Sequence, residues 1–266
     1  MDLKKVYAVC FSPTGTTAKA VQAAAEGAGL PLENVYLTTQ EIRKAYRHSF
    51  AKDELLIAGM PVYGGRLPAR LDDFFSGLQG NGAPAIALVM YGNREYEDAL
   101  IELKVKLEER GFKVIAGAAF IGQHTYSVNI AAGRPNEDDL TAAREFGKKS
   151  VEGVDRALQG TLTMKGNYPY IKPVLNPVER GTWALPGTTD DCSSCGNCVE
   201  NCPWGAISLG DKAVTDPAKC LRCHRCIAVC PAEARVVVDP DWAEWVAAFE
   251  KRLAPFHKEP EMFFSE

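Results

Sequence analysis

VYAVCFSPTGTTAKAVQAAAEGA, residues 6–28, changes character at its centre. VYAVCF (6–11) is an apolar run of β-branched, aromatic and small residues and predicts a buried strand. SPTG interrupts it, and TTAKAVQAAAEGA, rich in alanine and straight-chain residues, predicts a helix. The same alternation continues outward. NVYLTT (34–39), ELLIAGM (54–60), APAIALVMYG (83–92) and FKVIAGAAFIG (112–122) predict four more strands. Helical stretches separate and follow them: QEIRKAYRHSF, PARLDDFFSGL opened by Pro68, EYEDALIELKVKLEERG (95–111) closed by Gly111, and NEDDLTAAREFGKKSVEGVDRALQG (136–160) with acidic residues at its start. Apolar strands alternating with helices imply a doubly wound α/β fold, a parallel sheet covered on both faces.

A chain of 266 residues exceeds one average domain, so a second is expected. The net charge is −4 and the Lys and Arg residues are scattered, which argues against nucleic-acid binding. No apolar stretch reaches the ~18 residues that span a membrane, and the short apolar run near the N-terminus reads as a first strand rather than a signal peptide. The expected setting is cytoplasmic, where clustered cysteines are metal ligands more often than disulfides. Residues 161–190 carry Pro169, Pro173, Pro177 and Pro186 among glycines and the aromatics Tyr168, Tyr170 and Trp183, and predict an irregular but packed connector. DWAEWVAAFEKRLAPF predicts a short helix from Asp241, ended by Pro255, with no role visible beyond packing.

CSSCGNCVENCP (192–203) returns 28 positions later as CLRCHRCIAVCP (220–231), while the 191 residues before the repeat contain only Cys10. The spacing is C-x2-C-x2-C-x3-C-P, twice. Thiolates three residues apart wrap one cluster from a single loop, as in bacterial iron–sulfur proteins. Zinc ribbons present separated C-x2-C pairs instead, and a disulfide framework does not suit the compartment. The segment resembles the two-cluster ferredoxin family. The resemblance implies a small α+β domain with two 4Fe–4S clusters, one held by Cys192, Cys195, Cys198 and Cys230, the other by Cys220, Cys223, Cys226 and Cys202. Cys10, in an apolar strand, reads as an inert buried thiol. His224, Arg222 and Arg225 lie among the ligands; the expectation is a surface or supporting place for the histidine and solvated side chains for the arginines.

The turn SPTGTT leads directly into a helix, where hydroxyls and backbone N–H groups can hold a phosphate. It lacks the G-K-S/T of a Walker loop and the G-x-G-x-x-G of a dinucleotide fold. It resembles the phosphate loop of flavodoxins, which have a five-stranded doubly wound sheet. The resemblance implies FMN, with its phosphate on Ser12, Thr14, Gly15, Thr16 and Thr17. MPVYGGRLP then supplies Pro61, Val62, Tyr63, Gly64 and Gly65 beside the ring. YGNREYEDAL supplies Tyr91, Gly92 and Asn93 along its edge, with Tyr96 in the stacking position and Tyr63 as a second wall. GQHTYS brings Gln123 and His124 to the same crevice. The plainer alternative for Tyr63 and Tyr96 is packing at the rim of the sheet. Asn93 and Arg94 stand where flavodoxins carry an acidic run.

Over nearly its full length the chain resembles the fused flavodoxin-domain ferredoxins of anaerobic bacteria and archaea. The divisions expected are a flavodoxin-like FMN-binding domain at 1–160, a packed connector at 161–190, a two-cluster 4Fe–4S ferredoxin domain at 191–240, and a C-terminal helix and tail at 241–266. The expected role is electron transfer between iron–sulfur clusters and FMN, joining one-electron and two-electron carriers. Two other readings remain open: a flavin-dependent reductase in which Arg66, Arg94 or His124 orients a small substrate, and an adaptor without flavin that presents a ferredoxin to a partner enzyme. Redox partner proteins are expected, within one chain or across a homodimer.

Overall fold

In the computed structural model, which describes residues 1–266, five strands form one parallel sheet. They are β1 (Lys5–Cys10), β2 (Leu32–Tyr36), β3 (Glu54–Pro61), β4 (Pro84–Tyr91) and β5 (Lys113–Ile121). Their spatial order is β2-β1-β3-β4-β5. This is the flavodoxin-like doubly wound order, whose switch point lies between β1 and β3. Alternate residues of each strand enter different cores. Tyr7, Val9, Leu56, Ala58, Ala87 and Val89 face one side, and Val6, Ala8, Cys10, Leu55, Ile57 and Leu88 the other. Burial on both faces explains why the strands read as unbroken apolar runs.

Six helices follow the sheet's connections: α1 (Thr16–Gly27), α2 (Gln40–Ala45), α3 (Asp72–Ser76), α4 (Ala99–Glu109), α5 (Glu137–Glu152) and α6 (Val154–Gln159). α1 and α5 cover one face and cross at two glycines. A Cβ on Gly147 would lie 1.8 Å from the Ala24 carbonyl oxygen, and one on Gly27 1.9 Å from that of Arg144. α5 starts in a capping box, with Asn136 and Asp139 satisfying each other's backbone N–H. Several helices are shorter than the sequence predicts. The stretch from Pro68 becomes helical only at Asp72, because Arg70 takes a left-handed φ of 62° and reaches the Ala218 carbonyl at 3.0 Å. The stretch 95–111 becomes helical only at Ala99, after Glu97 at φ 44°. Gly153 divides the last predicted helix in two.

The cysteine segment forms a small α+β unit. β6 (Pro186–Thr188) pairs antiparallel with β9 (Arg235–Val237), and β7 (Ile207–Leu209) with β8 (Ala213–Thr215). Short helices α7 (Asn197–Glu200) and α8 (Arg225–Ala228) carry the third cysteine of each half, Cys198 and Cys226. The 28-residue repeat is written into the backbone as well. Positive φ occurs at Ser194 and Arg222, at Gly196 and His224, and at Gly205 and Glu233. Four of these six positions are not glycine, and His224 accepts φ 56° where the first half uses Gly196.

This unit is seated on the α/β domain. Trp204, Ala206 and Leu221 belong to the larger core. The Trp204 ring stacks on Phe11 at 5.3 Å and under the Arg43 guanidinium at 4.2 Å. Arg43 is fully buried; it pairs with Asp73 at 2.8 Å and donates to the Pro203 carbonyl at 3.1 Å. The connector is held by its backbone. Asp98 accepts N–H bonds from Asn167, Ile171 and Lys172, and Arg66 donates to the Lys172 carbonyl at 2.5 Å. Helix α9 (Trp242–Leu253) buries Phe249 and Leu253 against Ile130. The final strand, Glu261–Phe264, then pairs antiparallel with β5 and covers that edge of the sheet, an element the sequence did not announce. No helix is long and apolar enough to cross a membrane.

Candidate functional site

The eight repeat cysteines line two concavities, four to each. One contains Cys192, Cys195, Cys198 and Cys230; the other contains Cys202, Cys220, Cys223 and Cys226. Each set therefore borrows the fourth cysteine of the other half. No three His, Cys, Asp or Glu side chains converge closely enough for a single metal ion. Four thiols spaced around a void suit a polynuclear cluster better than tetrahedral zinc. Backbone N–H groups already approach the sulfurs: Ala206 donates to Cys202 Sγ at 3.2 Å and Arg222 to Cys220 Sγ at 3.4 Å. Burial pushes the thiols of Cys198, Cys220 and Cys223 up and that of Cys226 up to about 11. Cys192 goes the other way, because the N–H groups of Ala213 and Ser194 favour its thiolate. Cys10 lies apart in the sheet, 1% exposed, its thiol pushed up to about 12 by burial.

A third space opens at the carboxyl ends of the strands, a crevice of about 340 Å³. Thr14 lines it from the turn before α1, Thr16 and Thr17 from the first turn of α1, Pro61 from the end of β3, Val62, Tyr63 and Gly64 from the loop after it, Tyr91 and Gly92 from the end of β4, and Gln123 and His124 from the loop after β5. The His124 ring lies against Gly92, where a Cβ would come within 2.3 Å of its Cδ2. The Tyr126 N–H donates to His124 Nδ1 at 3.1 Å, so in the neutral ring Nε2 carries the proton. Burial first, then Arg94 and His224, push the His124 pKa down to about 4.

Five residues expected at the flavin lie outside this lining. Ser12 caps α1 instead, its Oγ accepting the Ala18 N–H at 3.0 Å. Gly15 stands at the N-cap with φ 88°. Gly65 faces Glu97, whose Oε2 would sit 1.8 Å from an added Cβ. Asn93 is buried and donates to the Phe256 carbonyl at 2.8 Å. Tyr96 is fully buried, its hydroxyl donating to Glu261 Oε2 at 2.8 Å, because the final strand brings that carboxylate over the loop. Tyr63 and Tyr91 line the crevice, and Tyr96 does not. Arg66 is also withdrawn, in a buried pair with Glu102 at 2.8 Å. Arg222 and His224 are buried rather than solvated, 1% and 6% exposed. His224 Nε2 donates to the Ala184 carbonyl at 3.1 Å, and Arg225 donates to Asn201 at 2.9 Å.

Sequence reasoning missed the opposite wall of the crevice. It comes from the connector (Leu175, Arg180, Trp183), from Arg222 between two cysteines, and from α9 (Trp245, Phe249, Arg252). The signal was present in α9, where Trp242, Trp245, Phe249 and Arg252 recur at helical spacing on one face.

Burial leaves five side-chain polar atoms without a partner, and three of them belong to residues lining these spaces. Arg235 Nε belongs to the first cysteine concavity, Trp204 Nε1 to the second, and the Tyr91 hydroxyl to the crevice. Buried donors without acceptors are costly, and the residues that carry these three also line the two cysteine concavities and the crevice. The crevice and the second concavity are neighbours. Burial raises the Tyr63 hydroxyl well above its ordinary value, and Cys223 and Cys220 stand close enough to add to that shift.

Residues 189–234 match the family described as the 4Fe-4S dicluster domain. Ferredoxin-1 of Chlorobaculum tepidum is 44% identical over 55 residues, which are 18% of this chain and 89% of that ferredoxin. Ferredoxin Fdx2 of Sorangium cellulosum is 46% identical over 52 residues, 17% of this chain and 52% of that protein. Among solved structures, an archaeal flavodoxin is similar over 57% of this chain and 99% of its own, with 16% identity and a TM-score of 0.40. An NADH:FMN oxidoreductase in apo form is similar over 59% of this chain and 89% of its own, with 18% identity and a TM-score of 0.41. The flavodoxin-like assignment rests on the strand order of the sheet, and the chain belongs, through residues 189–234, to the 4Fe–4S dicluster ferredoxin family, fused to a flavodoxin-like α/β domain.

Proposed function

We propose that this chain carries electrons between a redox partner protein at its surface and FMN in the crevice, through two 4Fe–4S clusters held by the two cysteine sets. When bound, the clusters exchange single electrons and the flavin one or two, which joins the two kinds of carrier. The observation that supports the path is the position of Arg222: it lies between Cys220 and Cys223 in sequence and lines the crevice. Cys195 of the first set is exposed, which suits contact with the partner. Cys202, Cys220, Cys223 and Cys226 would hold the inner cluster, next to Tyr63 and Tyr126. Arg222 fixes that approach by donating to the carbonyls of Pro177, Cys220, Trp183 and Gly181, so the connector docks the clusters rather than letting them swing. In the crevice, the threonines and first N–H groups of α1 would take the phosphate, and Tyr63 and Tyr91 the ring. On this reading the functional divisions are 1–160, 161–190, 191–240 and 241–266.

Anaerobic purification with iron, sulfide and flavin measured together should give about eight irons and one FMN per chain. Stopped-flow spectra should then show flavin reduction following cluster reduction. Clusters that reduce fully while bound FMN stays oxidised would refute the path. A second reading, a flavin-dependent reductase, is favoured by the walls themselves: the connector and α9 enclose the crevice instead of leaving the ring edge on a flat surface.

A further inference from the structure

We propose that the wall of the crevice supplied by the connector and α9 binds a planar conjugated carboxylate, gripped by Arg180 and Arg252 against the rings of Trp183 and Trp245. This rests on the reading of the crevice as the FMN site and names the ligand class of the second reading above.

Charge carries the argument. Neither Asp nor Glu lines the crevice, yet four arginines do: Arg94, Arg180, Arg222 and Arg252. Arg94 is neutralised by Glu97, at 2.6 Å. The other three have no carboxylate within ion-pair distance. Arg222 is saturated by backbone carbonyls. Arg180 uses a single donor, to the Tyr126 hydroxyl at 3.0 Å. Arg252 lies over the Phe249 ring at 5.2 Å and makes no hydrogen bond. A guanidinium has five N–H donors, so the half-buried Arg180 holds most of its own unused beside the cavity, while the exposed Arg252 presents its own at the rim. Phosphate binding is already provided for by the threonine turn and the start of α1, in a different segment, so these cations serve another anion.

Shape narrows the class. Arg180 lies 4.8 Å from the Trp183 ring. Trp183 meets Trp245 edge-on at 5.1 Å, and Trp245 stacks on Phe249 at 4.8 Å, which in turn meets His124 at 5.0 Å. The wall is therefore one aromatic surface with a guanidinium beside each end of the chain of rings. Flat apolar bodies pack on such surfaces, and planar guanidinium forks match the two oxygens of a carboxylate. The His124 ring also lines the crevice, with Nδ1 already accepting the Tyr126 N–H.

The test uses the full-length, cofactor-loaded chain, purified without oxygen, and titrates cinnamate, its neutral isostere cinnamamide, and phenyl phosphate. Binding is read from tryptophan fluorescence and from perturbation of the flavin absorption. Cinnamate should saturate both signals and bind about tenfold or more tightly than cinnamamide, a difference of one charge-assisted contact. Arg180→Gln and Arg252→Gln should each weaken cinnamate about tenfold and leave cinnamamide unchanged, with iron and flavin content and melting temperature as checks on folding. Equal affinities for cinnamate and cinnamamide, or Gln variants that bind cinnamate normally, would overturn the proposal. Phenyl phosphate binding more tightly through the same arginines would overturn the assignment of a carboxylate. If the chain takes up no flavin but cinnamate still quenches fluorescence in an arginine-dependent way, the FMN reading fails and the anion site stands; flavin bound without cinnamate binding is the reverse.

Discussion

Arg235 holds Nη2 3.9 Å from the Sγ of Cys226 while lining the concavity of Cys192, Cys195, Cys198 and Cys230. One guanidinium thus serves both cysteine sets. It is 1% exposed, has no carboxylate partner, and leaves Nε without an acceptor. Its neutral partners are the carbonyls of Pro186 and Ala213 and the hydroxyls of Thr188 and Thr215. A buried cation without a counter-ion is costly, and on the proposed function thiolate-ligated clusters in the two cysteine sets would be the anions within reach. Arg235→Met should lower the potentials of both clusters. One charged contact of about 1.5–3 kcal/mol corresponds to about 65–130 mV for a one-electron couple. Arg235→Lys, which keeps the charge, should recover part of the fall. Redox titration followed by electron paramagnetic resonance reads this directly; unchanged potentials in a folded Met variant would leave Arg235 only a packing role.

Trp204 offers the complementary case, because its indole N–H concerns only the second set. Phe at this position keeps an aromatic ring between Phe11 and Arg43 but removes the donor. Trp204→Phe should lower the potential of the second cluster alone, by about 20–65 mV for a lost neutral hydrogen bond of about 0.5–1.5 kcal/mol. Equal shifts in both clusters would count against a direct bond.

The sheet was legible because β1, β3, β4 and β5 are buried on both faces and so carry an unbroken apolar signature, whereas the edge strand β2 is half-exposed; the cysteine sets were legible because ligand spacing is local. What escaped depends on contacts between distant segments. Tyr96 occupies a loop position where an aromatic can stack on a ring, but the choice between ring and core is made by Glu261, 165 residues away. Trp204 and Arg235 carried no signal in the sequence; their orphaned donors exist only once the two halves of the repeat fold over each other. Arg222 looked solvated because its partners, the carbonyls of the connector, have no side-chain signature.

The placement of the tyrosines separates two variants. Tyr96→Phe should leave FMN affinity unchanged and cost about 1–2 kcal/mol of stability, since the Glu261 carboxylate loses its bond to the buried hydroxyl. Tyr63→Leu should weaken FMN binding about tenfold, with a smaller effect on folding, because Tyr63 is on the crevice wall. Fluorescence titration of the flavin-free chain measures both. Weaker FMN binding in Tyr96→Phe would place the Tyr96 hydroxyl at the flavin rather than only on Glu261.

His124 makes stability depend on pH. Its folded pKa, about 4, lies below the unfolded value of 6.5, so as pH falls the unfolded chain takes up the proton first. The stabilisation is complete above about 6.5 and is lost progressively between 6.5 and about 4. The groups around the ring are Arg94 and His224, which oppose its charging, together with Tyr126 and the apolar Phe249. Within that window the cluster-free chain should lose about 1–3 kcal/mol through this residue, after allowance for its partial exposure. His124→Gln, which cannot titrate, should show a shallower acid limb in denaturant unfolding measured from pH 7 to 4.5. Parallel limbs for the two proteins would mean that His124 charges freely in the folded crevice.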